Sequence, residues 1–283
     1  MKEKAKKIVK WVILIVGVVC LFVIIHIFTA NRTYEKEFYQ VVSDQVEENI
    51  RIVYLTDTHL KEYGEDNADL VADVKSLSPD LVLLGGDMII RETEDYKSAI
   101  SLCEQLSKIA PTYGVFGNHE LERIYQDGDK NIADAFAKTG VTFLRNSDTE
   151  VEIKGTSIQL VGISGTEDGF NESGGKKEMD SLEDNADFRI VMSHIPAQFL
   201  ENLAAYDFDL GLAGHVHGGI VRLPVIGGLY SAEEGFLPTY SAGAYELDNG
   251  GELIVSRGLG DSAAIPLRIN SKPELSVIDI NWY

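Results

Sequence analysis

Five short stretches of this sequence end in side chains that bind metals or move protons. They are Asp57-Thr58-His59, Gly85-Gly86-Asp87, Gly117-Asn118-His119-Glu120, His194, and Gly214-His215-Val216-His217. Five of the six histidines lie in them; the sixth is His26. A lone histidine is usually a satisfied structural residue. Five at equivalent places, with two aspartates and an asparagine, ask for a common purpose. Imidazole together with carboxylate suits zinc, iron or manganese, and the lack of accompanying thiolate argues against a structural zinc. Eight candidate ligands (Asp57, His59, Asp87, Asn118, His119, His194, His215, His217) are too many for one ion and match two ions sharing a carboxylate. Two divalent ions about 3.5–4 Å apart clamp the attacking and leaving oxygens of an in-line displacement at phosphorus and lower the pKa of a bound water. The expected chemistry is therefore hydrolysis of a phosphate ester.

Each stretch must be delivered by an element, and each follows an apolar run: residues 51–56, 80–84, 112–116, 188–193 and 208–213. Short, β-branched-rich runs bounded by glycine and polar residues read as buried strands. Ligands in open α/β sheets gather beyond the carboxyl ends of such strands. Five strands thus bring their polar tips to one rim. Between them, Leu70, Val71, Val74 and Leu77 mark a helix that ends before Pro79. Ala99, Leu102, Cys103 and Leu106 mark a second over 94–109, closed by Pro111. Cys103 lies on that apolar stripe and reads as core rather than as a reactive thiol. Residues 141–163, 220–223, 239–247, 252–256 and 275–281 read as further short strands with glycine-rich turns such as Asp248-Asn249-Gly250-Gly251. The whole predicts α/β layering, two packed sheets with helices outside. Residues 164–187, glycine-rich and charged, are expected to form a mobile surface excursion. Residues 224–238 place apolar side chains in a loop. A loop folded over its own satellite core is the first expectation, and an apolar lip toward substrate or bilayer the second.

Composition adds a second device at the N-terminus. Lys2, Lys4, Lys6, Lys7 and Lys10 stand against one acid, Glu3, in a chain whose net charge is -20. The remainder repels phosphate backbones, so no nucleic-acid partner is expected. Residues 11–30 are apolar apart from His26 and Thr29, long enough to cross a bilayer core. The preceding lysines set the N-terminus in the cytoplasm and the domain outside. Phe28 occupies a position where a cleaved signal peptide needs a small residue, which favours an uncleaved signal-anchor. The expected organisation is a basic cytoplasmic N-terminus (1–10), a transmembrane anchor (11–30), a tether (31–50) and one catalytic domain (51–283), placed at the cell membrane on its outer side. The two cysteines, Cys20 and Cys103, offer no disulfide framework.

Asp57-x-His59, Gly86-Asp87, Gly117-Asn118-His119-Glu120, His194 and Gly214-His215-x-His217 occur in the order of the calcineurin-like metallophosphoesterase family, which this sequence resembles. Gly218-Gly219-Ile220-Val221-Arg222-Leu223-Pro224, Ser256-Arg257-Gly258-Leu259-Gly260 and Pro266-Leu267-Arg268 are similar to its membrane-anchored YkuE/YaeI-like bacterial phosphodiesterase branch. The resemblance implies a four-layer α/β-β/α sandwich and two divalent ions, manganese, zinc or iron. It places Asp57, His59, Asp87 and His217 on one ion and Asp87, Asn118, His194 and His215 on the other, with Asp87 bridging. His119 would act on the leaving oxygen or the phosphoryl group instead of ligating. The family's GDxxD run has Ile90 in place of its last aspartate here, so another acid or the backbone must orient His119. Arg222, Arg257 and Arg268 are candidates to hold substrate oxygens. The expected activity is a metal-dependent phosphodiesterase on a cell-envelope phosphodiester or lipid-linked diphosphate. A phosphomonoesterase or nucleotidase of the same fold is the alternative. So is a non-catalytic envelope protein that binds metal and phosphorylated polymer.

Overall fold

The apolar runs that carry the ligand tips are strands, and both faces of most of them are buried. A computed structural model describes the chain except residues 1–3, 5, 8, 19–20, 22–31, 130, 165–169, 184–185, 220, 224, 232–234 and 262–267. In chain order the elements begin with β1 (Glu35–Ser43), β2 (Ile50–Leu55), α1 (Ala68–Leu77), β3 (Leu81–Leu84), α2 (Lys97–Leu106) and β4 (Thr112–Gly114). Next come α3 (Asn118–Tyr125), α4 (Asn131–Ala137), β5 (Thr142–Phe143), β6 (Ser147–Ile153), β7 (Thr156–Ile163), α5 (Phe170–Ser173) and α6 (Gly175–Ser181). Then follow β8 (Phe188–Ser193), α7 (Gln198–Glu201), β9 (Leu210–Ala213), β10 (Arg222–Leu223), β11 (Gly227–Gly228), β12 (Tyr230–Ser231) and β13 (Gly235–Phe236). The last are β14 (Gly243–Glu246), β15 (Glu252–Val255) and β16 (Glu274–Trp282).

Two six-stranded sheets result, in the orders β1-β16-β2-β3-β4-β5 and β14-β15-β9-β8-β7-β6. Strands β2, β3, β4 and β5 run parallel, and so do β7, β8, β9 and β15. Alternate side chains of one strand serve different cores. Ile52 and Tyr54 of β2 and Leu81 and Leu83 of β3 pack with Ile190, Met192 and Leu212 of the other sheet. Val53, Leu55, Val82 and Leu84 point the opposite way and meet Leu70, Val74, Leu102 and Cys103 of α1 and α2. On the far side, Val161, Val191 and Val255 pack with Phe170, Met179 and Phe199 of α5, α6 and α7. Helices, sheet, sheet, helices is the resulting order of layers. Each fully buried aliphatic side chain stabilises it by about 1.5–3 kcal/mol.

Several expectations are corrected here. The stretch read as a tether contains β1, paired in parallel along its length with β16. It looked polar because it is an edge strand: Phe38 and Val42 are exposed and only Val41 is buried. Residues 164–187 are not simply a surface excursion. Where described, they supply α5 and α6, with Phe170 and Met179 in the outer core. The loop at 224–238 does not close over its own apolar residues, since Val225, Ile226, Phe236 and Leu237 are exposed. The predicted anchor falls partly outside the described residues, and no helix among those described is long and apolar enough to cross a membrane. The parts of it that are described, residues 11–18 and Leu21, are helical with their apolar side chains exposed.

Candidate dinuclear metal centre

The parallel strands of the two sheets end at one rim. Thr56 and Asp57 follow β2, Asp87 follows β3, Asn118 and His119 open α3 after β4, His194 follows β8, and His215 and His217 follow β9. The turns there are abrupt. Asp57, His59, Asp87, His215 and His217 have φ of 52°, 45°, 51°, 69° and 49°. Such left-handed backbone costs a non-glycine residue energy and persists where the surroundings impose it, often at functional sites. Gly86, at φ 94°, answers the same demand: a Cβ there would strike the backbone of Gly117. The β3 and β4 tips can then touch, and the His119 N–H donates to Asp87 Oδ1 at 2.9 Å.

The side chains converge on Asp87. Its Oδ2 is 3.1 Å from His194 Nε2, 3.8 Å from His59 Nε2 and 3.9 Å from His119 Nε2. Asp57 Oδ1 is 3.8 Å from both His194 Nε2 and His217 Nε2. Asp57, His59 and His217 present ligand atoms within 4.8 Å of one another; so do Asp87, His194 and His215, and so do His59, Asp87 and His119. Asn118 adds a carbonyl oxygen, Oδ1, that is buried without a hydrogen-bond partner. A buried acceptor lacking a donor, one residue before the His119 N–H that binds Asp87, is the environment a cation completes. The residues present therefore fit a pair of divalent ions.

Ring orientation sorts the histidines. His194 Nδ1–H donates to the Gly85 carbonyl at 2.8 Å, and His59 Nδ1–H to the Ile89 carbonyl at 3.2 Å. In their neutral forms both rings thus turn an Nε2 lone pair to the cluster. His119 is the reverse, since its Nδ1 accepts the Arg91 N–H at 2.9 Å. A neutral His119 then carries its proton on Nε2, aimed into the site. This main-chain donor fixes the ring where Ile90 has replaced the family's aspartate. His217 also accepts at Nδ1, from Arg268 Nη2 at 3.0 Å. With Nδ1 accepting, a neutral His217 ring carries its proton on Nε2 and would have to change tautomer to ligate through that atom.

The electrostatics follow burial and the two aspartates. Burial lowers His59, and it lowers His217 well below the usual range with help from Arg268, so both favour the neutral form. Burial also opposes protonation of His194, but Asp87 and then Asp57 outweigh it and push His194 up to about 10. Burial likewise opposes ionisation of Asp87, yet the surrounding histidines, His194 foremost, hold its carboxyl far below the usual carboxylate range. The pocket strongly favours positive charge between its aspartates.

Glu120 ties the rim together. Its Oε2 accepts the N–H of Asp87 and of Gly117, each at 2.9 Å, and its Oε1 accepts the Ile89 N–H at 3.0 Å. Burial, and then the Asp87 charge, push the Glu120 carboxyl up to about 7. Its place in the Gly117–Glu120 motif was the only sequence signal for this role. Thr56, which donates to Asp57 Oδ2 at 2.9 Å, gave none. The three arginines sit differently from one another. Arg257 is engaged by Glu274 at 2.7 Å and Glu37 at 3.0 Å, with Glu35 at 3.6 Å. Arg222 donates to the Gly218 carbonyl at 3.3 Å. Arg268 is buried against His217 and donates to the Arg257 and Gly258 carbonyls.

Comparison with known proteins agrees with this geometry. The family model described as Calcineurin-like phosphoesterase matches residues 50–219, more than half of the chain. The chain is 30% identical over 237 residues to "Phosphodiesterase YaeI" of Escherichia coli (strain K12), covering 81% of this chain and 82% of that protein. It is 28% identical over 239 residues to "Uncharacterized metallophosphoesterase YkuE" of Bacillus subtilis (strain 168), covering 82% and 79%. A solved structure of a hypothetical protein from Thermus thermophilus aligns at 20% identity and TM-score 0.46, over 74% of this chain and 76% of that one.

Proposed function

Because the chain belongs to the calcineurin-like phosphoesterase family, hydrolases of phosphoesters with a dinuclear metal centre, we propose that it is a phosphodiesterase of the cell envelope. The observation that carries the chemistry is the convergence on Asp87 Oδ2 of His194, His59 and His119, beside the unpartnered Asn118 Oδ1. Asp57, His59, Asp87 and His217 would hold one ion and Asp87, Asn118, His194 and His215 the other, Asp87 lying between. When bound, the two ions supply Lewis acidity toward the phosphoryl oxygens and an acidified water as nucleophile. Glu120 and the main-chain acceptors behind His59 and His194 keep the ligand atoms in place. His119 presents Nε2–H to the departing oxygen, its ring fixed by the Arg91 amide.

We also place the catalytic domain outside the cytoplasmic membrane with the N-terminus inside. The lysines before residue 11, the apolar run at 11–30 and the exposed apolar helix at 9–18 support that placement. The exposed Val225, Ile226, Phe236 and Leu237 support a lip against a bilayer or a lipid-linked substrate. Substrates would then be polymer phosphodiesters or lipid-linked diphosphates.

The test is hydrolysis of bis-p-nitrophenyl phosphate by the manganese-loaded chain beside Asp87→Ala. Turnover by the wild type and none by a folded variant supports the reading. Cleavage of p-nitrophenyl phosphate alone makes the protein a monoesterase, and silence on both with metal bound leaves a binding protein. Protease digestion of intact cells tests the topology: a protected domain would overturn the outward placement.

A further inference from the structure

Beside the metal centre lies a cavity of about 780 Å³ that shares Asn118 and His194 with it. Its other walls include Phe116, Ile163, Tyr125, Arg145 and Ser164. Arg145 is unlike several arginines of this acidic chain. Arg51, Arg91, Arg123 and Arg257 each pair with carboxylates. No carboxylate among the described residues pairs with Arg145; its guanidinium donates to the Tyr125 hydroxyl. Glu122 also lines the cavity, but its charge is taken by Arg91 Nη1 at 2.8 Å. The guanidinium is held between two rings, 5.4 Å from the Tyr125 centroid and 5.8 Å from that of Phe116. Phe116 is itself fixed by stacking on Phe143 at 4.7 Å. An arginine held this way, with N–H donors left over beside a cavity, is preorganised for bidentate anion binding. A second observation points the same way: Ser164, buried in the cavity wall, has an Oγ with no hydrogen-bond partner among the described residues.

Resting on the phosphoesterase reading above, we propose that this cavity is a subsite for an anionic group on the organic arm of the substrate, with Arg145 reading the anion. The arm would lie on Phe116 and Ile163 while the scissile phosphoryl group sits between the metal ligands. The substrate class is then a phosphodiester or diphosphate carrying a second anion, phosphoryl or carboxylate, on an apolar or aromatic arm. A plain dialkyl phosphate would leave the guanidinium unanswered.

Calorimetric titration of the manganese-loaded 283-residue chain with phenyl phosphate, 4-carboxyphenyl phosphate and hydroquinone bisphosphate tests this. The probes with an anionic arm should bind about tenfold tighter than phenyl phosphate, the value of one charge-assisted contact. The tighter of the two identifies the anion. In Arg145→Met that ratio should collapse toward one, and in Arg145→Lys, which keeps the charge but not the fork, it should fall in between. Equal binding of all three probes by the wild type would overturn the proposal, as would a ratio unchanged by Arg145→Met. If Arg145→Met does not fold, the Arg145→Lys ratio decides in the same way. Hydrolysis of bis-p-nitrophenyl phosphate, run alongside, separates the two readings: a preserved binding ratio without turnover rejects the phosphodiesterase and keeps the subsite.

Discussion

His119 as the hydrogen-bond donor to the leaving oxygen makes a demand that a purely structural histidine would not meet. Its Nε2 is 3.9 Å from Asp87 Oδ2, beyond hydrogen-bond contact, so the proton there is not engaged by the carboxylate. The Arg91 amide at 2.9 Å holds the opposite ring nitrogen, and no side-chain acid is needed. A preorganised hydrogen-bond donor aimed at the charge developing on an oxygen contributes roughly 10²–10³ in rate. That range is about 2.7–4 kcal/mol of barrier. A nitrophenolate delocalises that charge, whereas a phenolate leans on the donor. His119→Ala should therefore lower kcat/KM for diphenyl phosphate at least about 100-fold and for bis-p-nitrophenyl phosphate by less than about tenfold. Arg91→Ala is the matched control. It removes the ion pairs to Glu122 and Asp127 but keeps the amide, so the leaving-group dependence should match the wild type. Equal losses on both esters in His119→Ala would refute the donor role and return His119 to the metal group it forms with His59 and Asp87.

Three further outcomes follow from the packing. Arg257→Ala strands Glu274, only 1% exposed, without its cation, and should cost about 3 kcal/mol in urea unfolding; a cost under about 1 kcal/mol would return Arg257 to the substrate candidates. Burial raises the Cys103 thiol, so its peptide should resist iodoacetamide in the native protein and react fully in urea, as mass spectrometry would read. Arg51, hydrogen-bonded to Asp279 through Nε at 2.7 Å and Nη2 at 3.0 Å, holds the Asp279 carboxyl below its usual value. A lowered carboxylate contributes stability above its unfolded pKa of about 3.9 that is lost as pH falls through the folded value. The melting-temperature advantage over Asp279→Asn should be about 2 °C at pH 7 and shrink below about pH 4; an advantage that persists at pH 2 would contradict the ion pair.

What the chain concealed has the same physical cause as what it revealed. The ligand strands were legible because both of their faces are buried, so Ile52 through Leu55 or Ile190 through Met192 read as unbroken apolar runs ending in polar tips. Strand β1 was not, because its one neighbour is β16 and its apolar Phe38 and Val42 face outward among charges. Helices α3 and α4 escaped for a related reason: α3 begins on Asn118 and is mostly polar, burying only Glu120 and Ile124. At the site, residue types named the candidate ligands, but a tautomer is decided by what stands behind a ring, and that is a matter of tertiary contact. Ile90 looked like a missing orienting acid for His119. One residue later the Arg91 amide fills the role from the main chain, which every residue but proline carries and no side-chain motif can advertise. Arg268 hid in the opposite way. It read as a surface cation available to substrate, yet it is buried to 2% exposure against His217. A cation hydrogen-bonded to His217 Nδ1 belongs to the surroundings of the metal site. It is recognisable only once the loop after β15 has folded back onto Asp57, where the Leu259 N–H meets the Thr56 carbonyl.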